Sequence, residues 1–242
     1  MKVAVISDVH ANLAALEAVL DAVDESGADE LWCLGDLVGY GPEPERCVER
    51  VLARAAVCLA GNHDLVVAGS IGLEVFAHDA EAAARWTARV LPEPALEALR
   101  ALAPAAARAG VELYHGSIRD PVWEYVVDDR TAATCLELQG TPVALIGHSH
   151  VALVYGYADG DFLGGLTPDG TRVDLGAGPF LLNPGSVGQP RDGDPRAAFL
   201  ELDLDAGAAT WRRVRYDIDR TREGIERAGL PSRLGSRLYQ GR

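Results

Sequence analysis

Short apolar runs, each closed by polar residues, recur along the first 150 residues of the chain. Val3-Ala4-Val5-Ile6 leads to Asp8 and His10, and Leu31-Trp32-Cys33-Leu34 to Gly35-Asp36. Val57-Cys58-Leu59 leads to Asn62 and His63, Val111-Glu112-Leu113-Tyr114 to His115, and Val143-Ala144-Leu145-Ile146 to His148 and His150. Runs of this length fit buried strands. Between the first two, Asn12 stands where a helix cap is wanted, Leu13, Leu16, Leu20 and Val23 recur at helical spacing, and Gly27 is placed to end the helix. A turn-rich Gly39-Tyr40-Gly41-Pro42 and a helix from Pro44 to about Arg54 then lead to the third strand. The outcome is three parallel strands joined by two crossovers. In layered α/β folds the ends of such strands gather at one rim, so polar residues far apart in sequence meet there.

From about 65 to 102 the chain is alanine-rich and predicts a helical cover, broken near Gly72 and at Pro92 and Pro94. Residues 105–114 predict a hairpin about Ala109-Gly110, and about 129–137 a helix. Strand patterns follow at 143–146, 151–157, 172–175, 180–182, 197–203 and 209–216, so a β-rich part spans about 105–216. Asp159-Gly160 and Asp169-Gly170 predict hairpin turns and not a calcium loop, because Leu163 falls where an EF-hand needs a ligand. C-terminal helices occupy about 219–239, interrupted by Gly229 and Pro231. No linker or repeat divides residues 1–242, and a single domain is expected.

Charge narrows the partners. With 22 basic and 36 acidic residues, the net charge of −14 disfavours stable binding to nucleic acid or an anionic membrane. No apolar run approaches the ~20 residues of a membrane span, and the start is too short for a signal peptide, so the expected place is the cytoplasm. Cys33, Cys47, Cys58 and Cys135 lack any Cys-x-x-Cys spacing and fit reduced core thiols.

Five of the six histidines close apolar runs, and His78 alone stands outside the pattern. In an extended backbone, side chains two apart share a face, so Asp8 with His10, and His148 with His150, would each aim two ligands at one point. The alternative is that Asp8 caps a helix and the paired histidines are surface loop residues. Carboxylates mixed with imidazoles suit Mn, Fe, Zn, Co or Ni. With more than four donors two ions are expected, and Asp36 could bridge them.

The ordered set Asp8-Val9-His10, Gly35-Asp36, Gly61-Asn62-His63-Asp64, His115-Gly116 and Gly147-His148-Ser149-His150 resembles the calcineurin-like metallophosphoesterases. That resemblance implies a four-layer α/β/β/α sandwich of two mixed sheets flanked by helices, with a dinuclear centre at the strand ends. One divalent transition-metal ion would take Asp8, His10, Asp36 and His150, and the other Asp36, Asn62, His115 and His148. His63 would assist catalysis without binding either ion, as proton donor or as a partner of the phosphoryl oxygens. Asp64 either orients His63 or bonds its own backbone. Arg191 either clamps a phosphate oxygen or pairs with Asp192, and Tyr40, Trp123 and Tyr125 either stack on a base or pack in the core.

Gly35-Asp36-Leu37-Val38-Gly39-Tyr40-Gly41-Pro42 and Asn183-Pro184-Gly185-Ser186-Val187-Gly188-Gln189-Pro190-Arg191 are similar to a small prokaryotic phosphodiesterase or diadenosine-tetraphosphatase-like subgroup. The Ser/Thr protein phosphatases of the family carry an Asp-Arg pair where Gly39-Tyr40 stand here. The resemblance therefore implies hydrolysis of a small phosphoester, a nucleotide among the candidates, and a diester before a monoester. A catalytically silent scaffold binding a protein partner is the alternative, and the presence of every ligand and of His63 argues against it. A homo-oligomer is compatible with the chain.

Overall fold

The computed structural model describes residues 1–158, 160–176 and 178–242. The first half runs β1 (Lys2–Ile6), α1 (Leu13–Ser26), β2 (Glu30–Cys33), α2 (Pro44–Leu52), β3 (Ala55–Cys58), α3 (Asn62–Val67), α4 (His78–Val90) and α5 (Glu93–Arg100). The second runs β4 (Ala105–Arg108), β5 (Val111–Tyr114), α6 (Asp129–Leu138), β6 (Val143–Leu145), β7 (Ala152–Ala158), β8 (Asp161–Leu166), β9 (Arg172–Asp174), β10 (Phe180–Pro184), β11 (Ala197–Asp203), β12 (Ala208–Val214), α7 (Ile218–Arg227) and α8 (Ser232–Leu238). Two six-stranded mixed sheets result, ordered β3-β2-β1-β11-β12-β9 and β4-β5-β6-β10-β7-β8. In the first, β1, β2 and β3 are parallel. In the second, β5, β6 and β10 are parallel. Their C-terminal ends meet at one rim.

Strand alternation explains the layers. Val3 and Val5 of β1 face the second sheet, in a core shared with Trp32, Leu113, Phe180 and Trp211. Ala4 and Ile6, one residue out of step, face Leu13, Leu16 and Val19 of α1. On the far side α6 covers the second sheet through Ala132, Cys135 and Leu136. The sandwich is thus α/β/β/α. Each fully buried aromatic or aliphatic side chain contributes roughly 1.5–3 kcal/mol, and the Trp211 indole N–H is satisfied by the Asn183 carbonyl at 2.8 Å, tying β12 to β10 across the sandwich. Among the described residues no helix is long and apolar enough to cross a membrane.

Several elements differ from expectation for local reasons. Pro94 does not break a helix but lies in the first turn of α5, where its missing N–H is not needed. Asn62–Val67 forms a short helix because Gly61 enters it extended and the Asp64 carboxylate accepts the Gly61 N–H at 3.0 Å. The edge strand β8 went unpredicted: its sequence DFLGGL holds two adjacent glycines and is mostly exposed, so neither propensity nor alternation marks it. Asp169-Gly170 forms a turn but not the predicted hairpin, because it carries the chain from β8 of the second sheet to β9 of the first. Of the Asp159-Gly160 pair, Asp159 lies outside the described residues. The four cysteines are free thiols.

Candidate metal centre

The backbone delivers the polar side chains in a strained conformation. Asp8, His10, Ala11, Asp36, Tyr40, His148 and His150 all have φ between 48° and 62°. Left-handed backbone costs a non-glycine residue about 1–2 kcal/mol, and the sole other non-glycine example among the described residues is Ala109 in its hairpin turn. The extended-strand argument for paired ligands is therefore corrected: the chain curls at each strand end. Asp8 and His10 do converge on one point, but His148 and His150 part, each to a different group. Gly35 and Gly61 permit the close approach of two loops, since a Cβ on Gly35 would sit 2.5 Å from the Gly61 nitrogen and one on Gly61 would overlap the Asp36 carboxylate.

Two groups of donors assemble around Asp36. Asp8, His10, Asp36 and His150 offer atoms within 4.8 Å of one another, as do Asp36, His115 and His148. Asp36 Oδ2 is 3.6 Å from His10 Nε2 and 3.5 Å from His115 Nε2, so one carboxylate faces both groups. Asp8 Oδ1 is 3.4 Å from His150 Nε2. Asn62 Oδ1 lies 3.2 Å from His115 Nε2, beside the second group.

Backbone carbonyls orient the imidazoles. His10 Nδ1 donates to Val38 O at 2.9 Å, His115 Nδ1 to Leu34 O at 2.9 Å and His150 Nδ1 to Gln189 O at 2.6 Å. Each thereby turns an Nε2 lone pair inward. In His148 the roles reverse: Nε2 donates to Trp123 O at 3.2 Å and Nδ1 carries the lone pair. Lone pairs consequently confront one another. His10 Nε2 and His150 Nε2 stand 3.0 Å apart with no proton left for the contact, and His115 Nε2 lies 3.2 Å from the Asn62 oxygen.

The buried charges are equally uncompensated. Both carboxylate oxygens of Asp8, and Oδ2 of Asp36, are buried without a hydrogen-bond partner. Burial pushes the Asp8 carboxyl up to about 7 and raises Asp36 well above the usual carboxylate range, with Asp64 adding to the latter. Burial also holds His10, His63 and His150 well below the ordinary imidazole range, and His148 down to about 2. Neutral imidazoles, orphaned carboxylate oxygens and facing lone pairs fit divalent cations and little else. The two His/Asp groups constitute a dinuclear divalent metal site. Their mixed nitrogen and oxygen donors suit transition metals.

Around the centre the other candidates separate by their contacts. His63 is buried, its Nδ1 has no partner, and its ring packs 4.5 Å from Tyr40 and 4.5 Å from Phe76, measured between centroids. Asp64 accepts from Leu37 N at 2.9 Å, Val38 N at 3.2 Å and Gly61 N, so of its two readings the backbone-bonded one is what its contacts record. Asp192 is taken by Arg213 and does not pair with Arg191. Arg191 instead donates to Gln189 Oε1 at 2.9 Å and Tyr40 OH at 3.3 Å, leaving its buried Nε unpartnered. A cleft of about 230 Å³ opens beside these groups, lined also by Phe76, Trp123 and Tyr125. Tyr125 stacks on His148 with ring centroids 4.1 Å apart. His78 is 94% exposed and outside the centre. Sequence reading missed Phe76, which lies in a stretch without periodicity, and the four orienting carbonyls, which no side-chain pattern reports.

Such a rim, between two mixed sheets and built of shared carboxylate and imidazole donors, defines a metal-dependent hydrolase of the phosphoesterase type. The chain belongs to the calcineurin-like phosphoesterase superfamily, whose domain profile matches residues 1–207. It is similar to a metallophosphoesterase from Sphaerobacter thermophilus, with 39% identity, a TM-score of 0.90, and 100% of this chain and 99% of that one covered. An uncharacterised protein of Methanocaldococcus jannaschii is 34% identical over 99% of this chain and 98% of its own length. A symmetrical bis(5'-nucleosyl)-tetraphosphatase of Thioalkalivibrio sulfidiphilus is 38% identical over 68 residues, which is 27% of this chain and 25% of that protein.

Proposed function

We propose that the chain hydrolyses phosphodiesters, with one ion held by Asp8, His10, Asp36 and His150 and a second by Asp36, Asn62, His115 and His148. The observation that carries the assignment is Asp36 Oδ2, buried, without a donor, and within 3.6 Å of a histidine of each group. Bound ions would activate water at neutral pH and polarise the phosphoryl oxygens. The chain's own groups do the rest. His63 lines the cleft and, when protonated, donates to the leaving oxygen or hydrogen-bonds a phosphoryl oxygen. Arg191 receives a non-bridging oxygen on its fork. Asp64 positions His63 indirectly, by fastening the loop at Leu37 and Val38 to the start of α3.

The preference for diesters rests on charge and room. A monoester dianion calls for more than one arginine fork, and among the described residues Arg191 is the arginine lining the cleft. A diester monoanion needs less compensation, and its second group would lie against Phe76, Trp123 and Tyr125. These rings, and the limited likeness to a nucleosyl tetraphosphatase, support nucleotide esters as the substrate class. Comparison of kcat/KM for bis-p-nitrophenyl phosphate and p-nitrophenyl phosphate, with the same metal and pH, tests this. The diester is expected to be cleaved better. A preference for the monoester, abolished in Arg191→Ala, overturns the assignment and makes Arg191 a dianion clamp.

A further inference from the structure

Seven non-glycine residues at the rim hold left-handed backbone. Five of them, Asp8, His10, Asp36, His148 and His150, belong to the two donor groups, and Ala11 has no polar side-chain atom. Tyr40, at φ 59°, is the one whose strain has no chemistry assigned to it. That conformation is a genuine outlier for a bulky side chain, and strain of this kind gathers at functional sites. The neighbouring glycines hold it in place. Gly39 has φ 88°, and a Cβ there would sit 2.3 Å from His63 Nδ1. A Cβ on Gly41 would sit 2.3 Å from the His10 carbonyl oxygen, to which Gly41 N donates at 3.1 Å. The chain therefore bends closely between His10 and His63, and Tyr40 is set between them.

The ring is fixed on several sides. Its centroid lies 4.6 Å from that of His10 and 4.5 Å from that of His63, and it packs against the cluster of Ala83, Ile225, Leu234 and Leu238. The guanidinium carbon of Arg191 stands over it, 5.8 Å from the centroid. The hydroxyl is the group left to act. It accepts a hydrogen bond from Arg191 Nη2 at 3.3 Å and reaches no acceptor of its own among the described residues. A phenol both donates and accepts, so the accepted bond leaves its proton to be given elsewhere. That proton is present at neutral pH. The charge of Arg191 polarises the O–H and strengthens it as a donor. Tyr40 also lines the cleft of the metal centre, together with Asp36, Asn62, His63, His150 and Arg191. A rigid, polarised donor stands in the same space as the groups that receive the phosphoryl oxygens.

We infer that Tyr40 is a catalytic residue whose hydroxyl donates a hydrogen bond to a non-bridging oxygen of the phosphoryl group, beside the fork of Arg191. The inference rests on the phosphoester assignment above for the position of the phosphorus. The proton stays on the phenol oxygen and no bond to Tyr40 forms. Its part is to meet charge on the phosphoryl oxygen with a donor already in place, so that none of its strain is paid during the reaction. One guanidinium with one neutral donor matches a singly charged diester, whereas a dianion calls for a second cation in that place.

Tyr40→Phe removes the hydroxyl and keeps the ring. Metal content and denaturant midpoint should match the parent, while kcat/KM for bis-p-nitrophenyl phosphate falls by about 10–10²-fold, the worth of one hydrogen bond to a charged oxygen. The same substitution in an Arg191→Ala background separates a donor to substrate from a prop for Arg191. A donor still lowers kcat/KM several-fold there, because its own contact with the phosphoryl group is lost. No further loss in that background makes Tyr40 a positioning residue and overturns the inference, as does an unchanged kcat/KM in Tyr40→Phe itself. Orthophosphate titrated calorimetrically into the metal-loaded proteins reads the same contact without turnover, and Tyr40→Phe should weaken it several-fold. If the parent cleaves neither ester, the hydrolase assignment fails and this titration alone decides: an affinity lowered in Tyr40→Phe keeps the donor, and an equal affinity overturns it. A parent that prefers monoesters removes the diester reading, and a loss of monoester activity in Tyr40→Phe still supports the donor.

Discussion

Two places in this molecule bury carboxylates, and they do so by opposite means. Asp192, 4% exposed, is answered from within: Arg213 binds it through two nitrogens, and the Ala152 N–H donates to it at 3.1 Å. Asp8 and Asp36, at most 1% exposed, lie among imidazoles with no ion-paired guanidinium, and three of their four oxygens have no donor. The Asp192 pair closes its own electrostatics and fastens the loop that carries Arg191. The Asp8 and Asp36 site leaves its charge open and is completed from outside. Seven left-handed non-glycine residues at the rim show that the fold bears strain to keep it so. An uncompensated buried acid is thus a mark of function, and a compensated one a mark of architecture.

The sharpest way to break that contrast is to remove what completes the rim. Chelator treatment should abolish esterase activity, and Asp36→Asn should lower it by roughly 10⁴-fold or more, the worth of several kcal/mol of metal-supplied stabilisation. Elemental analysis should find two ions per chain in the parent and loss of both together in Asp36→Asn, because one carboxylate serves both groups. Full activity without metal would make the orphaned oxygens an accident of packing. Next comes His63, whose partnerless Nδ1 is an open group of another kind. His63→Ala should retain both ions while turnover falls by about 10²–10⁴-fold, and a loss of metal in that variant would count it among the ligands.

On the compensated side the reading is stability. Arg213→Ala leaves Asp192 buried and unpaired, and should destabilise the fold by about 3–5 kcal/mol. Denaturant midpoints check this, and a loss under about 1 kcal/mol would show that the pair is no more than a surface contact.

Much of the rim was legible because chemistry and periodicity coincide there. An apolar run followed by Asp8, Asp36, His115 or His148 states both that a strand ends and that a ligand waits. What the sequence hid was the backbone. Alternation along a strand suggested that His148 and His150 share a target, whereas φ values near 60° at both send them to different groups. The orienting carbonyls of Leu34, Val38, Trp123 and Gln189 were invisible because every residue has one and only the fold selects among them. Strand β8 was lost to its glycines, and Asn62–Val67 was not recognised as helical because it is too short to show a period.

The smallest effect tests the contrast most directly, since it predicts opposite signs for one substitution. Asn tolerates left-handed backbone, so Asp8→Asn keeps the local conformation at φ 54° while removing the charge. In the parent without metal, ionising Asp8 means burying a carboxylate with no donor, and burial pushes its carboxyl up to about 7 for that reason. The amide has no such charge, and its N–H groups can donate to the inward lone pairs of His150 or His10, 3.4 and 4.0 Å from Asp8 Oδ1. Metal-free Asp8→Asn at pH 8 should therefore be more stable than the metal-free parent by about 1–3 kcal/mol, a melting temperature several degrees higher at this chain length. The linkage has a definite sign: a folded carboxyl raised above 3.8 loses stability as pH climbs toward 7, so the advantage of the amide should shrink toward pH 4. With saturating metal the order reverses, because the parent gains the binding energy that the variant has forfeited. A metal-free Asp8→Asn that melts below its parent would mean that the carboxylate is already compensated within the fold, as Asp192 is, and would remove the difference between the two sites.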